Sequence, residues 1–212
     1  MKHLIFLLFS LLLLSSCTLG KEKSAEVFSL DIPDSFSWAF ESEPITVQGK
    51  PVTLAGTRLK VGDTLKDIVL DTKAPYFDTV GTGSVSQYSG YRVIETVPSL
   101  DTPVCTMQTK QLESAAKMFS DVTFVIVSHD TPFALERFCA ANAIKNLVVY
   151  SDARTREFGK QNGLFLPQYW LLTRSIIIID ADMKVVYVDY AEEVTDELDL
   201  VNALAYLKSE KK

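Results

Sequence analysis

The sequence predicts an α/β sandwich built on a mostly buried central sheet. From residue 98 onward, stretches with apolar residues at helical three-and-four spacing alternate with short apolar runs of strand length. The strand-length runs, such as 122–127 and 175–180, are nearly continuous in Val, Ile and Phe, as in strands covered on both faces. The polar turn between Asp180 and Lys184 then joins two of these runs as a hairpin.

The chain opens with Met1, Lys2 and His3, followed by residues 4–14, apolar except for Ser10, and then Ser15, Ser16 and Cys17. This is the layout of a bacterial secretory signal, and its apolar stretch is too short to cross a bilayer of about 30 Å. The run LSSC, from Leu14 to Cys17, resembles a lipobox, which implies cleavage before Cys17 and a lipid on its sulfur. An ordinary signal peptide cut nearby is the alternative. With residues 1–16 removed as a lipoprotein signal peptide, the remainder suits one compact domain with a real core.

Residues 17–44 start as a polar tether and then place Phe28, Leu30 and Ile32, and after Pro33 and Asp34 also Phe36, Trp38 and Phe40, at alternate positions. Alternation of that kind is strand-like, so the segment reads as an arm covering an edge of the core or gripping a partner, against the plainer reading of a linker. The main domain spans 45–212. It begins with two short strands within 45–55 about Gly49 and Lys50, and continues with core strands at 68–70 and 91–97 separated by glycine-rich turns over 80–90. A helix follows to about 119, then strand 122–127, helix 132–142, strand 147–150 and helix 155–162. Strands 175–180 and 185–189 precede a last helix over 196–208.

The chemistry concentrates in the run PSLDTPVC, from Pro98 to Cys105. Pro98 ends a hydrophobic strand, Thr102 offers a hydroxyl three residues before the sulfur, and Cys105 opens a helix whose apolar face carries Leu112, Ala115, Ala116 and Phe119, with Gln108, Lys110 and Lys117 off that face. A helix start favours thiolate over thiol. Thiolate is the better nucleophile and the form that oxidises to sulfenic acid, and a second cysteine, Cys139, makes such an oxidation reversible.

Four blocks in order resemble the peroxiredoxins, and within them the bacterial thiol peroxidases that work as atypical two-cysteine enzymes. The blocks are ITVQGKPVTL from Ile45, PSLDTPVC from Pro98, SHDTPFALERFC from Ser128 to Cys139, and LLTRS with Arg174. The resemblance covers about residues 45 to 208. It implies a thioredoxin-like sandwich with a central mixed sheet, flanking helices and an N-terminal β-hairpin, a homodimer, and no cofactor. It implies Cys105 as the peroxidatic cysteine and Cys139 as the resolving cysteine of an intramolecular disulfide. Thr102 would hydrogen-bond thiolate and peroxide, Pro98 would shield the sulfur, and Arg174 would supply positive charge. Reactants implied are hydrogen peroxide or an organic hydroperoxide and a dithiol such as a thioredoxin-like protein. Val97, where the family often has an aromatic, and the bulky stretch from Leu166 to Trp170 depart from the pattern and bear on the peroxide entrance.

Other chemistries fit less well. A structural disulfide in an exported binding protein on this scaffold would need neither Thr102 nor Arg174 at those places, although Thr102 is also a natural helix cap and Arg174 a natural salt-bridge residue. A peroxide-sensing disulfide donor stays open. CxxC is absent, and a Cys-His hydrolase has only His129 once His3 is removed; one His with two spaced Cys fits no zinc pattern. The net charge of −6 and pI near 5.0 argue against nucleic acid and against electrostatic docking on anionic lipid, so membrane attachment falls to the lipid on Cys17. The expected location is the bacterial cell envelope, facing the periplasm or exterior.

Overall fold

The computed structural model describes residues 30–35 and 44–211. The signal segment, Cys17 and the arm residues Phe28, Phe36, Trp38 and Phe40 lie outside the described residues. The chain runs through β1 (Thr46–Val47), β2 (Lys50–Pro51), β3 (Leu70–Thr72), β4 (Thr82–Gly83), β5 (Arg92–Val97), α1 (Pro103–Met118), β6 (Thr123–Ser128), α2 (Pro132–Ala141) and β7 (Val148–Ser151). It continues with α3 (Glu157–Gln161), β8 (Phe165–Leu166), β9 (Leu171–Leu172), β10 (Ser175–Ile179), β11 (Val185–Tyr190) and α4 (Leu200–Glu210).

Seven strands form one mixed sheet in the order β11-β10-β5-β6-β7-β3-β4. β5, β6 and β7 are parallel neighbours, which demands crossover connections, and α1 and α2 supply them. β10 and β11 add antiparallel strands on one side, β3 and β4 on the other.

The period of two along each strand sorts the core into two layers. Val93, Val97, Phe124, Ile126, Ile176 and Ile178 face a layer built with α1, α2 and α4. Ile94, Val125, Val127, Ile177 and Ile179 face the other, closed by Phe158 of α3. Because both faces are covered, these strands read as unbroken apolar runs.

The β1–β2 hairpin turns through Gln48 and Gly49, both left-handed at φ 52° and 70°, the pair of conformations that a tight two-residue turn requires. It is bound to the body by Thr46 N donating to Glu192 O at 2.6 Å and by Ile45 packing with Leu166 and Val194. Gly163, at φ 65°, follows α3; a β-carbon there would lie 2.0 Å from Thr57 O, so no larger residue fits. Ile32, from the short described piece near the N-terminus, enters the core layer of α4, and Lys208 donates to Ile32 O at 3.2 Å.

Element bounds differ from the sequence reading in places with local causes. β3 sits two residues later than 68–70, where pairing with β4 and β7 fixes its register. α4 begins at Leu200 because Asp199 caps it, accepting from Asn202 N. The stretch from Leu166 to Trp170 belongs to a β8–β9 hairpin whose two-residue strands leave no periodic signal.

Candidate active site

α1 begins where β5 runs out. Pro98 is buried at the strand's end, and Thr102 takes the N-cap position with Pro103 in the first turn, where its fixed φ and missing N–H suit a helix start. Cys105 therefore lies in the opening turn of α1 and is fully buried, at 0% exposure. The loop that delivers it is shaped by Asp130, from the β6–α2 connection. Asp130 Oδ1 accepts from Ser99 Oγ at 2.7 Å, and Oδ2 accepts from Leu100 N at 2.8 Å and Ser128 Oγ at 2.9 Å.

Arg174 reaches Cys105 from the entrance of β10. Its neighbours are pinned by Thr96 of β5, which donates to Thr173 O at 2.8 Å and bonds Ser175 Oγ at 2.7 Å. The guanidinium, 1% exposed, spends its fork on three acceptors: Nη2 donates to Cys105 Sγ at 3.2 Å, Nη1 to Gln108 Oε1 at 2.7 Å and Nε to Val194 O at 3.1 Å. Held this way, a cation lies against the sulfur inside the protein, where its field is weakly screened.

The structure corrects one placement. Gln108, expected off the buried face of α1, is 1% exposed, because it bridges Arg174 to Leu198 O, to which its Nε2 donates at 3.3 Å. Glu95, in the middle of β5, is a second buried polar residue at the same place, 2% exposed and raised to about 8 by burial, with Arg174 acting in the opposite sense. Hydrophobic patterning registers neither residue, and only the strand pairing brings Glu95 beside Arg174.

Thr102 is exposed, and its hydroxyl donates to Ser99 O at 3.1 Å rather than to Cys105, and accepts from no N–H group of the helix start. Cys139 is buried in α2, 3% exposed, and burial pushes its thiol up to about 11, with Lys73 opposing. Both cysteines are free thiols, on separate helices that share one core layer. His129 Nδ1 donates to Trp170 O of the β8–β9 hairpin at 2.8 Å, while Nε2 lies 3.3 Å from Asp152, whose carboxylate also accepts from Phe158 N and Gly159 N of α3, so both ring nitrogens are engaged. Trp170 in turn stacks on Arg156, whose guanidinium carbon is 4.6 Å from the ring centre. Among the described residues no cluster of His, Cys, Asp and Glu is arranged to hold a metal ion. A groove of about 550 Å³ lies beside the start of α2, lined by Asp71, Phe77, Pro132, Phe133 and Arg154 among others.

With this geometry in place, the comparisons are specific. A family model described as Redoxin matches residues 60–205. A thiol peroxidase of Clostridium acetobutylicum is 38% identical over 151 residues, 71% of this chain and 89% of its own length. One of Bacillus subtilis is 37% identical over 153 residues, 72% of this chain and 89% of its own. A solved peroxiredoxin-like protein from Aquifex aeolicus superposes with a TM-score of 0.70 at 34% identity, covering 80% of this chain and 97% of that one. A thiol peroxidase from Chromobacterium violaceum, 20% identical, shares the fold with a TM-score of 0.69 over 81% of this chain and 99% of that one. A chain with this sheet, a first-turn cysteine under an arginine and these relatives belongs to the redoxin family, among the peroxiredoxins of the bacterial thiol peroxidase type.

Proposed function

We propose that the chain reduces peroxides with electrons from thiols, cycling Cys105 through a sulfenic acid and a Cys105–Cys139 disulfide. The observation that carries this reading is the donation from Arg174 Nη2 to Cys105 Sγ in a buried pocket at a helix start. In the first step the Cys105 thiolate attacks the outer peroxide oxygen; the S–O bond forms, the O–O bond breaks, and the leaving alkoxide or hydroxide takes up a proton. Arg174 offsets the charge as it passes from sulfur to oxygen. Pro98 keeps bulk water from the sulfur, and Thr102 turns its hydroxyl from Ser99 O toward the thiolate and peroxide by a rotation about χ1.

Cys139 then attacks the sulfenic sulfur, forming the S–S bond and expelling water. A disulfide needs α-carbons within about 7 Å, and both sulfurs start buried on different helices, so the start of α1 and part of α2 open in this step. An external dithiol of the thioredoxin-like kind closes the cycle by exchange. The reading extends to a homodimer, checked by light scattering, and to an envelope protein held at a membrane by a lipid on Cys17. The LSSC run supports the anchor. Fatty-acid labelling that survives Cys17→Ser would remove it.

The test is peroxide consumption with dithiothreitol by a form beginning after Cys17. Cys105→Ser is expected to abolish turnover. Cys139→Ser is expected to stop at a sulfenic acid or a mixed disulfide. A wild-type protein that leaves peroxide untouched while Cys105 is reduced would overturn the reading in favour of a binding protein on a peroxiredoxin scaffold.

A further inference from the structure

Glu95 is the buried charge-bearing group beside Arg174 that this cycle leaves unused. It lies in register with Ile126 of β6 and Ile176 of β10, on the face shared with Val93 and Val97 and covered by α1 and α4. Its Oε2 has no hydrogen-bond partner among the described residues. Thr109 Oγ1, one helical turn past Cys105 on α1, is likewise buried and unpartnered among them. The three acceptors of Arg174 are a carbonyl, an amide oxygen and Cys105 Sγ, none of them a carboxylate.

A buried guanidinium needs one anion nearby, and two anions around one cation would leave a net charge in a dry layer. While Cys105 is a thiolate, that anion is the sulfur. Once the sulfur carries oxygen or is bonded to Cys139, its negative charge is gone and Glu95 is what remains. We propose that Glu95 is the exchangeable counter-ion of Arg174: a neutral acid while Cys105 is a thiolate, a carboxylate once Cys105 is oxidised. This rests on the peroxidase reading for its first step.

The step balances. Cys105 thiolate, a hydroperoxide and the protonated Glu95 become Cys105 sulfenic acid, an alcohol and the Glu95 carboxylate. Sulfur gives two electrons, the O–O bond breaks, the expelled oxygen gains the proton, and the site holds one negative charge before and after. Disulfide formation moves no net charge, since the Cys139 proton leaves in water. Reduction by a dithiol regenerates the Cys105 thiolate and the Cys139 thiol, and the remaining proton returns to Glu95. Asp189 of β11, across Ile176 from Glu95 on the same face, is raised by burial only to about 6, so at pH 7 it is already a carboxylate with no proton to give. The other groups on this face do not compete. Ile126 and Ile176 are apolar, Gln108 and Thr109 of α1 are uncharged, and Tyr206 of α4, packed on Tyr187 of β11, is like it held protonated by burial. Burial holds Glu95 itself above the usual carboxylate range, as a neutral acid in the reduced state requires.

The experiment is redox-difference infrared spectroscopy on the full chain in detergent, with proton uptake followed in parallel by an indicator dye in weak buffer at pH 7. Oxidation by one equivalent of hydrogen peroxide is expected to remove one protonated-carboxyl band and add a carboxylate band, with almost no proton drawn from solution. Glu95→Gln is expected to lose both bands and to draw one proton per Cys105 oxidised. A wild-type chain that keeps its carboxyl band, or takes up a full proton as the variant does, overturns the proposal. If peroxide leaves Cys105 unoxidised by mass spectrometry, the peroxidase reading fails, and oxidation to the disulfide with diamide still decides whether Glu95 ionises. Should Glu95→Gln not fold, the wild-type band change and proton count stand alone as the test.

Discussion

Gln108 holds Arg174 from one side: its Oε1 accepts from Nη1 at 2.7 Å while its Nε2 is tied to Leu198 O. The arginine is thereby aimed, with Nη2 left for Cys105 Sγ. Gln108→Leu removes one hydrogen bond to a charged group, of the order of 1.5–3 kcal/mol, and is expected to slow Cys105 oxidation by roughly 10- to 100-fold. Arg174→Lys keeps a charge without the fork and is expected to slow it by about 10²–10³. Stopped-flow fluorescence on peroxide mixing measures both, with circular dichroism to confirm the fold.

Cys139→Ser separates the two chemical steps. Mixed with one equivalent of peroxide and dimedone, the variant is expected to carry one adduct at Cys105. The wild type is expected to lose two hydrogens by mass and resist the reagent. Since Cys139 is buried in α2, amides of α2 are expected to exchange faster in the disulfide form than in the reduced one.

Asp130→Asn replaces one of the two accepting oxygens with an NH2 donor, so either Ser99 Oγ, or Leu100 N together with Ser128 Oγ, loses its acceptor. A loss of about 1–3 kcal/mol in unfolding free energy is expected, read from urea denaturation. Faster amide exchange confined to 99–102 would identify the loop as its seat.

Glu95 makes stability depend on pH. Its folded value of about 8 exceeds the ordinary 4.5, so between these the native state binds the extra proton. Stability of the reduced chain is full below about 4.5, falls as pH rises, and levels off above 8. Glu95→Gln is expected to flatten that slope in urea titrations taken from pH 5 to 8.

Glu193 carries the opposite sign. It accepts from Gly49 N at 2.9 Å, Gln48 N at 3.0 Å and Thr46 Oγ1 at 2.9 Å, and these donors depress it from 4.5 to about 2. Its contribution is present above pH 4.5 and lost as pH falls through 2. Glu193→Gln is expected to loosen the β1–β2 hairpin at neutral pH, seen as faster exchange at 46–51, with little change at low pH.

The layers were legible because burial writes itself into apolar spacing. Ile176 to Ile179 alternate between two cores, and Leu112 with Ala115 marks the inner face of α1. Cys105 and Arg174 were legible as well, through their motifs. Gln108, Glu95 and Asp130 were not, since a buried polar residue looks like a surface one until its distant partner is known. The Thr102 hydroxyl, bonded to Ser99 O, shows the same limit at short range, where several acceptors compete for one donor.

Arg174 lies 69 positions after Cys105, and the carbonyl that steadies Gln108 lies 90 positions after it. The sulfur is translated early and its electrostatic partner late, on a strand that joins the sheet only by pairing with β5. A chain that stops short of β10, or in which β10 is unpaired, therefore has Cys105 without the Arg174 contact on which the proposed reactivity rests. On the peroxidase reading, peroxide sensitivity of this one thiol is thus expected to report whether β5, α1 and β10 have come together correctly.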